Sequence, residues 1–261
     1  MRISFFEEYP TDDNLAKLKL LSFKTNLYIA SESVHQFIDL KKKIHRQYKN
    51  VDEIIYWPIL KVSEGYWISA FSKGNALKRI LREINSSKEA FSVLWDAELP
   101  LLNKKLYFTE APNFFRNRQL INKTLTNLNE KHPIIVTAFP KSGISKVLHY
   151  LAGASFYSGG FSYVDMIYTS LLKNIDKEDF LKKTIKKSKG SFKEYIVSLG
   201  LIAGGVEGTA PLISKDDLLK ELQFVESQGI KEVVIYRLGG LSKEYLSVIK
   251  KFAYTVLNPL T

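Results

Sequence analysis

The sequence predicts a single (β/α)8 barrel, the TIM-barrel fold, over residues 1–261. Eight short apolar segments of strand-like composition are spread along the chain, and helix-like segments follow them. Parallel strands need crossover connections such as helices, so this alternation predicts parallel βαβ units. The 261 residues also match the length of about 250 that is typical of the fold. Eight strands favour a closed barrel over an open doubly wound sheet, and FFEEYPTDD after the first strand lacks the glycine-rich turn of a dinucleotide-binding fold.

The first half of the chain contains four predicted strands with their helices. The strands are predicted at residues 2–8, 26–30, 53–57 and 91–96, and the helices at 14–21, 34–48, 75–84 and 116–130. The polar run Thr11-Asp12-Asp13 is expected to cap the first helix, and Ser31 or Ser33 the second. Longer loops follow the third and fourth strands, and the second of these is expected to cross the barrel mouth.

The second half repeats the pattern. The strands are predicted at residues 133–138, 163–168, 195–203 and 232–236, and the helices at 146–154, 177–187, 216–228 and 243–254. The pair Gly204-Gly205 is expected to end the seventh strand, because glycine weakens strand structure.

Composition narrows the class of protein. The chain has no cysteine, which excludes disulfides and thiolate chemistry. The sequence shows neither a signal peptide at its start nor an uncharged stretch of about 18 apolar residues, so we expect a cytoplasmic protein without a membrane span. The net charge of +11 comes largely from lysines in helical segments, where we expect solvated outer faces and no nucleic-acid partner. The sequence leaves the oligomeric state open.

The carboxyl ends of the strands are where a barrel of this kind carries its chemistry. Side chains alternate along a strand, so the apolar set containing Trp95 faces the helices, while Asp96 and Glu98 face the barrel axis. Like charges and partial burial are expected to raise the pKa of at least one of these acids. Such a pair suits general acid and base catalysis. Glu8, at the end of the first strand, is a third candidate catalytic carboxylate.

The motifs Asp96-Ala-Glu98 and Met166-Ile-Tyr168 resemble the D-x-E and M-x-Y elements of glycoside hydrolase family 18, the chitinase-like barrels. The resemblance implies that Glu98 is the general acid, that Asp96 assists it, and that Tyr168 contacts the acetamido group of the substrate. Leu94 and Phe91 stand where the family's longer motif has further aspartates. On the last strand, Tyr236-Arg237-Leu238 replaces the tryptophan that forms the floor of the sugar site. The segments YWPIL, EGYWIS and MIYTS also resemble an uncharacterised barrel family.

The sequence therefore predicts a glycoside hydrolase-like barrel that acts on, or binds, a carbohydrate or glycoconjugate. Tyr56 and Trp57, with Tyr66 and Trp67, are candidates for a rim that stacks on sugar rings, although packing in the core or loops explains them equally well. Further candidates for substrate binding are Tyr168, Glu207 and Arg237.

Two alternatives remain open. Gly204, Gly205 and Gly208 after the seventh strand, and Gly239-Gly240 with Arg237 after the eighth, could bind phosphate, which favours a phosphosugar isomerase or lyase that uses Glu8, Glu98 or Lys141. The same glycines could be ordinary turns. The barrel could also bind a carbohydrate or a protein without turnover.

We expect neither a metal nor a cofactor. The four histidines, His35, His45, His132 and His149, lie away from the predicted barrel mouth. A metal held by Glu8, Asp96, Glu98 and Glu207 alone is a less favoured alternative.

Overall fold

A computed structural model describes residues 1–140, 160–173, 175–206 and 208–253. Eight parallel strands pair in chain order and close into a barrel, which confirms the predicted fold class. The strands are β1 (Arg2–Glu7), β2 (Thr25–Ser31), β3 (Val51–Pro58), β4 (Val93–Asp96), β5 (Ile134–Ala138), β6 (Ser162–Met166), β7 (Tyr195–Gly200) and β8 (Glu232–Tyr236).

The helices of the described residues surround this barrel. They are α1 (Asp12–Ala16), α2 (Val34–Gln47), α3 (Gly74–Ser86), α4 (Leu106–Thr109), α5 (Phe114–Leu128), α6 (Lys177–Ser188), α7 (Lys215–Ser227) and α8 (Lys243–Ile249). Short 3₁₀ turns accompany them, including Lys17–Leu20 after α1. The helix predicted at residues 146–154 lies outside the described residues. Among the described helices, none combines the length and the apolar character that crossing a lipid bilayer requires.

Helix starts follow the predicted caps. The hydroxyl of Thr11 accepts a hydrogen bond from the Asn14 amide at 3.3 Å, and the hydroxyl of Ser33 accepts one from the Gln36 amide at 3.2 Å. Of the two serines considered, Ser33 is therefore the cap of α2. These bonds satisfy amides at the first turn that have no partner inside the helix.

Three elements end at least three residues earlier than predicted. The first helix becomes a 3₁₀ turn after Ala16, and α8 ends at Ile249 instead of residue 254. Strand β7 ends at Gly200 instead of residue 203, because the next amides leave the sheet ladder: the Ile202 amide donates to Tyr236 O at 2.7 Å. The pair Gly204-Gly205 therefore lies in the loop beyond the strand.

The core has two layers, as the side-chain alternation predicts. One apolar cluster fills the barrel interior and contains Phe6, Leu94 and Met166. A larger cluster lies between the strands and the helices and contains Val93 and Trp95. Adjacent residues of β4 thus belong to different layers, which directs Asp96 into the barrel with Leu94.

The junction between β3 and β4 is short. In the described sheet these strands share one register pair, Tyr56 with Val93, and the Tyr56 amide donates to Ser92 O at 2.9 Å. Further along, the loop after β3 replaces the strand, since the Ile68 amide donates to the main-chain oxygen of Asp96 at 3.2 Å. The loop is thereby attached to the end of β4.

Candidate active site

A pocket of about 740 Å³, which includes the space open to solvent, lies at the carboxyl ends of the strands. Its described lining combines three carboxylates with many aromatic and aliphatic side chains. These residues are Phe6, Glu8, Trp57, Trp67, Leu94, Asp96, Glu98, Leu101, Thr137, Phe139, Met166, Tyr168, Leu171, Leu201, Gly205, Val206, Ala210 and Tyr236.

Asp96 and Glu98 form the carboxyl pair of this pocket. Asp96 is the last residue of β4 and is 2% exposed, whereas Glu98 is only partly buried. Burial raises the pKa of Asp96 well above its usual range, and the charges of Glu98 and Glu8 raise it further. The indole N–H of Trp57 donates to Asp96 Oδ2 at 3.1 Å and opposes this shift in pKa.

The second oxygen, Asp96 Oδ1, receives no hydrogen bond from a donor in the described part of the chain. Two carboxylates cannot bond to each other without a proton, since both are acceptors. A proton on Asp96 resolves this, and its hydrogen bond to the Glu98 side chain is one of the causes that raise the pKa of Asp96. The pair can therefore hold one proton in a position that faces the pocket.

Glu8 is the third carboxylate, and two tyrosines hold it in place. The hydroxyl of Tyr66 donates to Oε1 at 2.5 Å, and the hydroxyl of Tyr236 donates to Oε2. Burial, followed by the charge of Glu8, raises the pKa of both tyrosines, so both remain protonated donors. The same two causes raise the pKa of the nearby Tyr9 to about 12.

The loop after β3 brings Tyr66 to Glu8 in a strained conformation. Tyr66 has a φ of +59°, in the left-handed region that costs a residue other than glycine roughly 1–2 kcal/mol. Strain of this kind persists where surrounding contacts fix it, and it clusters at functional sites. Here the contacts are the hydrogen bond to Glu8 and an edge-on contact with Trp67, at 5.2 Å between ring centroids.

Aromatic rings form much of the remaining wall. Trp57 packs on Phe6 with 5.4 Å between ring centroids, and Tyr168 lies 5.7 Å from Tyr236 by the same measure. The hydroxyl of Ser198 donates to Tyr168 Oη at 3.2 Å, and burial raises the pKa of Tyr168 well above the usual range. The lining is thus apolar except at a few fixed oxygen atoms.

Tyr56, one of the residues predicted to form a rim that stacks on sugar rings, lies outside the pocket lining. Tyr56 is fully buried on the helix-facing side of β3, where its ring lies 4.9 Å from Phe37 and 5.9 Å from Phe91. The reason is alternation, because neighbouring residues of a strand point to opposite faces. Of Tyr56 and Trp57, Trp57 alone lines the pocket. Glu207, another predicted contact, lies outside the described residues.

Arg237 also differs from its predicted role as a substrate contact. Its Nη1 lies 3.1 Å from Glu7 Oε1, and its Nε donates to Gly204 O at 2.9 Å. The guanidinium also lies over the ring of Tyr9, 4.8 Å from the centroid. Arg237 is not among the residues that line the pocket, because the carboxylate of Glu7 binds it outside that space.

The glycine turn after β8 already holds a carboxylate of the protein. The amide of Gly239 donates to Glu7 Oε2 at 2.7 Å, and the amide of Gly240 donates to Arg237 O at 3.0 Å. A phosphate would need these same amide groups. The turn predicted to bind phosphate is therefore built around Glu7.

Tyr236 is the main pocket residue that the sequence prediction missed as a contact. In the sequence, Tyr236 stands out only because it lies where glycoside hydrolase family 18 has a tryptophan on the last strand. The alternation applied to β4 would have found it, since Val234 and Tyr236 both belong to the interior cluster. Leu101 begins a short 3₁₀ turn, and Val206 and Ala210 lie in a loop. No periodic pattern predicts the direction of side chains in such segments.

The metal alternative finds no support in the described ranges. No group of three or more histidine, aspartate or glutamate side chains in them could hold a metal ion. His132, which precedes β5, packs on Phe91 with 4.6 Å between ring centroids, away from the pocket.

Comparisons with known proteins give a fold but no family assignment from sequence. No model of a protein family matches the chain, and no curated protein does. Among solved structures, the spore cortex-lytic enzyme SleL from Bacillus cereus has a TM-score of 0.58 and 10% identity, over 97% of this chain and 74% of the other. A GH18 chitinase from Pseudoalteromonas aurantia has a TM-score of 0.57 and 7% identity, over 97% and 100%.

A third similar structure belongs to a different class. It is a D-tagatose 3-epimerase-like protein, with a TM-score of 0.53 and 14% identity over 97% of each chain. At such low identities the likeness is one of fold. The chemistry of this chain has to be argued from its own residues.

Proposed function

We propose that this protein is a glycosidase-like hydrolase in which Glu98 donates a proton to a glycosidic oxygen. One observation carries the proposal: the buried Asp96 lies beside the more exposed Glu98 at the floor of an aromatic pocket. The two acids differ in environment, which is the condition under which a carboxyl pair divides its roles.

The direction of proton transfer follows from burial. Asp96 favours its neutral form because it is buried and faces two negative neighbours. Glu98 is the member that reaches the open pocket, so it is the group that meets a ligand. When Asp96 and Glu98 each hold a proton, Glu98 passes its own proton to the leaving oxygen. Asp96 keeps its proton and donates it in a hydrogen bond to the new charge on Glu98.

The bond changes balance with water as the second reactant. Protonation by Glu98 lets the bond between the anomeric carbon and the glycosidic oxygen break, and the leaving group departs as an alcohol. The oxygen of water bonds to the anomeric carbon, and the proton that water loses returns to the carboxyl pair. Whether the configuration is retained or inverted depends on the separation of the two reacting carboxyls, about 5–5.5 Å or about 6.5–9.5 Å.

A carbohydrate fits the lining better than a phosphorylated metabolite does. Flat apolar rings such as those of Trp57 and Trp67 suit the apolar faces of pyranose sugars. Chitinases and a cortex-lytic enzyme among the similar folds support this choice of substrate class. The phosphosugar alternative has less support, because Glu7 occupies the Gly239 amide and Arg237.

Glu98→Gln tests the role of the acid. The variant keeps the size of the side chain but cannot donate an acidic proton. We expect turnover to fall by about 10²- to 10⁴-fold, the usual contribution of general acid catalysis. Glu110→Gln is the matched control, because it removes one charge from a loop residue outside the pocket lining. Release of reducing ends from chitin and chitosan oligosaccharides, and then from a broad glycoside panel, provides the assay.

Two outcomes would redirect the proposal. Full activity in Glu98→Gln, with unfolding curves like those of the wild type, would reject the role of Glu98. Saturable sugar binding by the wild type with no turnover on the whole panel would instead favour the alternative of a carbohydrate-binding barrel.

A further inference from the structure

We infer that the pocket recognises a cationic amino sugar, a sugar unit that carries a free ammonium group. This inference rests on the proposed function for its sugar part, and it adds the charge of the substrate. It depends on the fixed carboxylate of Glu8, on the open acceptor atom of Asp96, and on the absence of basic side chains from the described lining.

The described lining of the pocket is acidic in composition, although the protein as a whole is basic. The whole chain has a net charge of +11, yet the described lining contains Glu8, Asp96 and Glu98 and no lysine, arginine or histidine. The nearby cation Arg237 is paired with Glu7 outside the lining. A protein that bound an anionic sugar here would be expected to place a cation in the wall, since buried charges require partners.

The carboxylate of Glu8 is held in place as a hydrogen-bond acceptor. Two tyrosine hydroxyls each occupy one of its oxygens, and a carboxylate has about four lone-pair sites, so acceptor capacity remains on both. Aromatic side chains, including Phe6, Trp57 and Trp67, line the same pocket. A carboxylate within an aromatic enclosure is the arrangement that stabilises an ammonium group, through charge pairing and cation–π contacts.

Asp96 supplies a second, independent indication of a ligand. Its side chain is 2% exposed and lines the pocket, yet Oδ1 lacks a donor from the described residues. A buried acceptor without a partner costs free energy. A proton shared with Glu98 is one way to satisfy this atom, and an ammonium group, which has three donors, is another.

An acetamido group fits these acceptors less well. It is neutral and has a single N–H donor, so it can offset no negative charge and can satisfy only one of the acceptors on Glu8 and Asp96. The described contacts therefore favour the deacetylated sugar.

Calorimetric titration with matched tetrasaccharides tests the inference. The ligands are the tetramer of glucosamine, the tetramer of N-acetylglucosamine, and cellotetraose, each at low and high salt below the pKa of the amine. We expect the glucosamine tetramer to bind about ten-fold more tightly than the others, a preference of roughly 1.4 kcal/mol. We expect high salt to reduce this preference. Glu8→Gln should remove most of the preference, and Glu110→Gln should retain it.

Equal binding of the three tetramers, or tighter binding of the acetylated one, would reject the cation site and leave the proposed function intact. A preference that Glu8→Gln leaves unchanged would also reject the role of Glu8. Cyclohexylammonium and cyclohexanol provide probes without a sugar and can be used with the wild type if Glu8→Gln does not fold. Selective binding of the ammonium probe, with no binding of any oligosaccharide, would retain the cation site and reject the carbohydrate function.

Discussion

Arg237 binds the buried carboxylate of Glu7, with 3.1 Å between Nη1 and Oε1. Glu7 is the last residue of β1, and its side chain is completely buried. The same carboxylate accepts hydrogen bonds from the amides of Tyr9 and Gly239 and from the side chain of Asn14. The pair thus joins the turn after β8 to the start of the barrel and closes the ring of strands at its mouth.

Replacing Arg237 with Met should leave Glu7 buried without a cation. We expect this change to lower the free energy of unfolding by about 3–5 kcal/mol, since breaking one side of a buried pair leaves an uncompensated charge. Urea unfolding measures the loss. In a double-mutant cycle, Glu7→Gln combined with Arg237→Met should cost less than the sum of the two single changes. Strict additivity would show that the pair contributes no coupling.

Crystals grown from sulfate should show no anion at the Gly239 amide. That amide donates to Glu7, and a second negative group at short range would be repelled. Diffraction data from such crystals check the prediction. An ordered sulfate held there by Arg237 would require Glu7 to move away, and it would restore support for the phosphosugar alternative.

Glu221 should make the stability of the barrel depend on pH. Burial is the main cause that raises its pKa to about 7, and its side chain bonds to Thr169, next to Tyr168. Because the folded state holds the proton more strongly than the unfolded chain does, the stability from this group is complete below about pH 4.5 and falls until about pH 7. The loss amounts to roughly 3 kcal/mol.

Glu221→Gln removes this ionisation, so its free energy of unfolding should decline less between pH 5 and pH 8 than that of the wild type. Glu226→Gln is the control, because Glu226 is exposed on the same helix. Other buried acids affect the pH dependence of the wild type and of Glu221→Gln equally. The difference between their two unfolding free-energy curves therefore reports Glu221 alone. Parallel pH curves for the wild type and Glu221→Gln would contradict the prediction.

Trp57→Phe should raise the pKa of Asp96 further. The indole N–H donates to Asp96 Oδ2 and favours the ionised form, so its removal favours the neutral form. Titration of the Asp96 carboxyl by carbon NMR measures the direction of the change. If the pair supplies the catalytic proton, the alkaline limb of the rate profile moves to higher pH as well. A lower pKa would mean that water enters the site of the missing indole.

Gly205→Ala should disturb Glu8 and its tyrosine. A Cβ atom at residue 205 would clash with Tyr236 Oη and would lie 3.0 Å from Glu8 Oε2. We expect a loss of about 1–3 kcal/mol in stability, together with weaker ligand binding. Gly208→Ala is the comparison, because a Cβ there meets nothing within 4 Å, although its φ of +81° adds local strain. Equal ligand affinity in the two variants would contradict a role for the close approach of Gly205.

The sequence predicts the barrel well because each strand is a short apolar segment that can be recognised from its local composition. It also predicts the direction of Asp96 and Glu98, since alternation inside one strand decides which layer a residue joins. The same rule separates the buried Tyr56 from Trp57, which lines the pocket.

Other features depend on contacts between distant parts of the chain. Arg237 and Glu7 are 230 residues apart, and Tyr66 reaches Glu8 across 58 residues through a left-handed loop conformation. The local sequence pattern around a residue contains no information about such a distant contact partner. These contacts arise only when the barrel closes, so they could not be read from the sequence.

The loop between β3 and α3 bonds to the main chain of Asp96 through Ile68, at the point where β3 no longer pairs with β4. One part of this loop supplies Trp67 to the pocket wall and Tyr66 to the carboxylate of Glu8, and another part is bonded to the main chain of the buried Asp96. Exchanging the loop for that of another barrel would therefore alter ligand contacts and acid strength together. In the proposed hydrolase, a change to this loop would therefore affect selectivity and reactivity together.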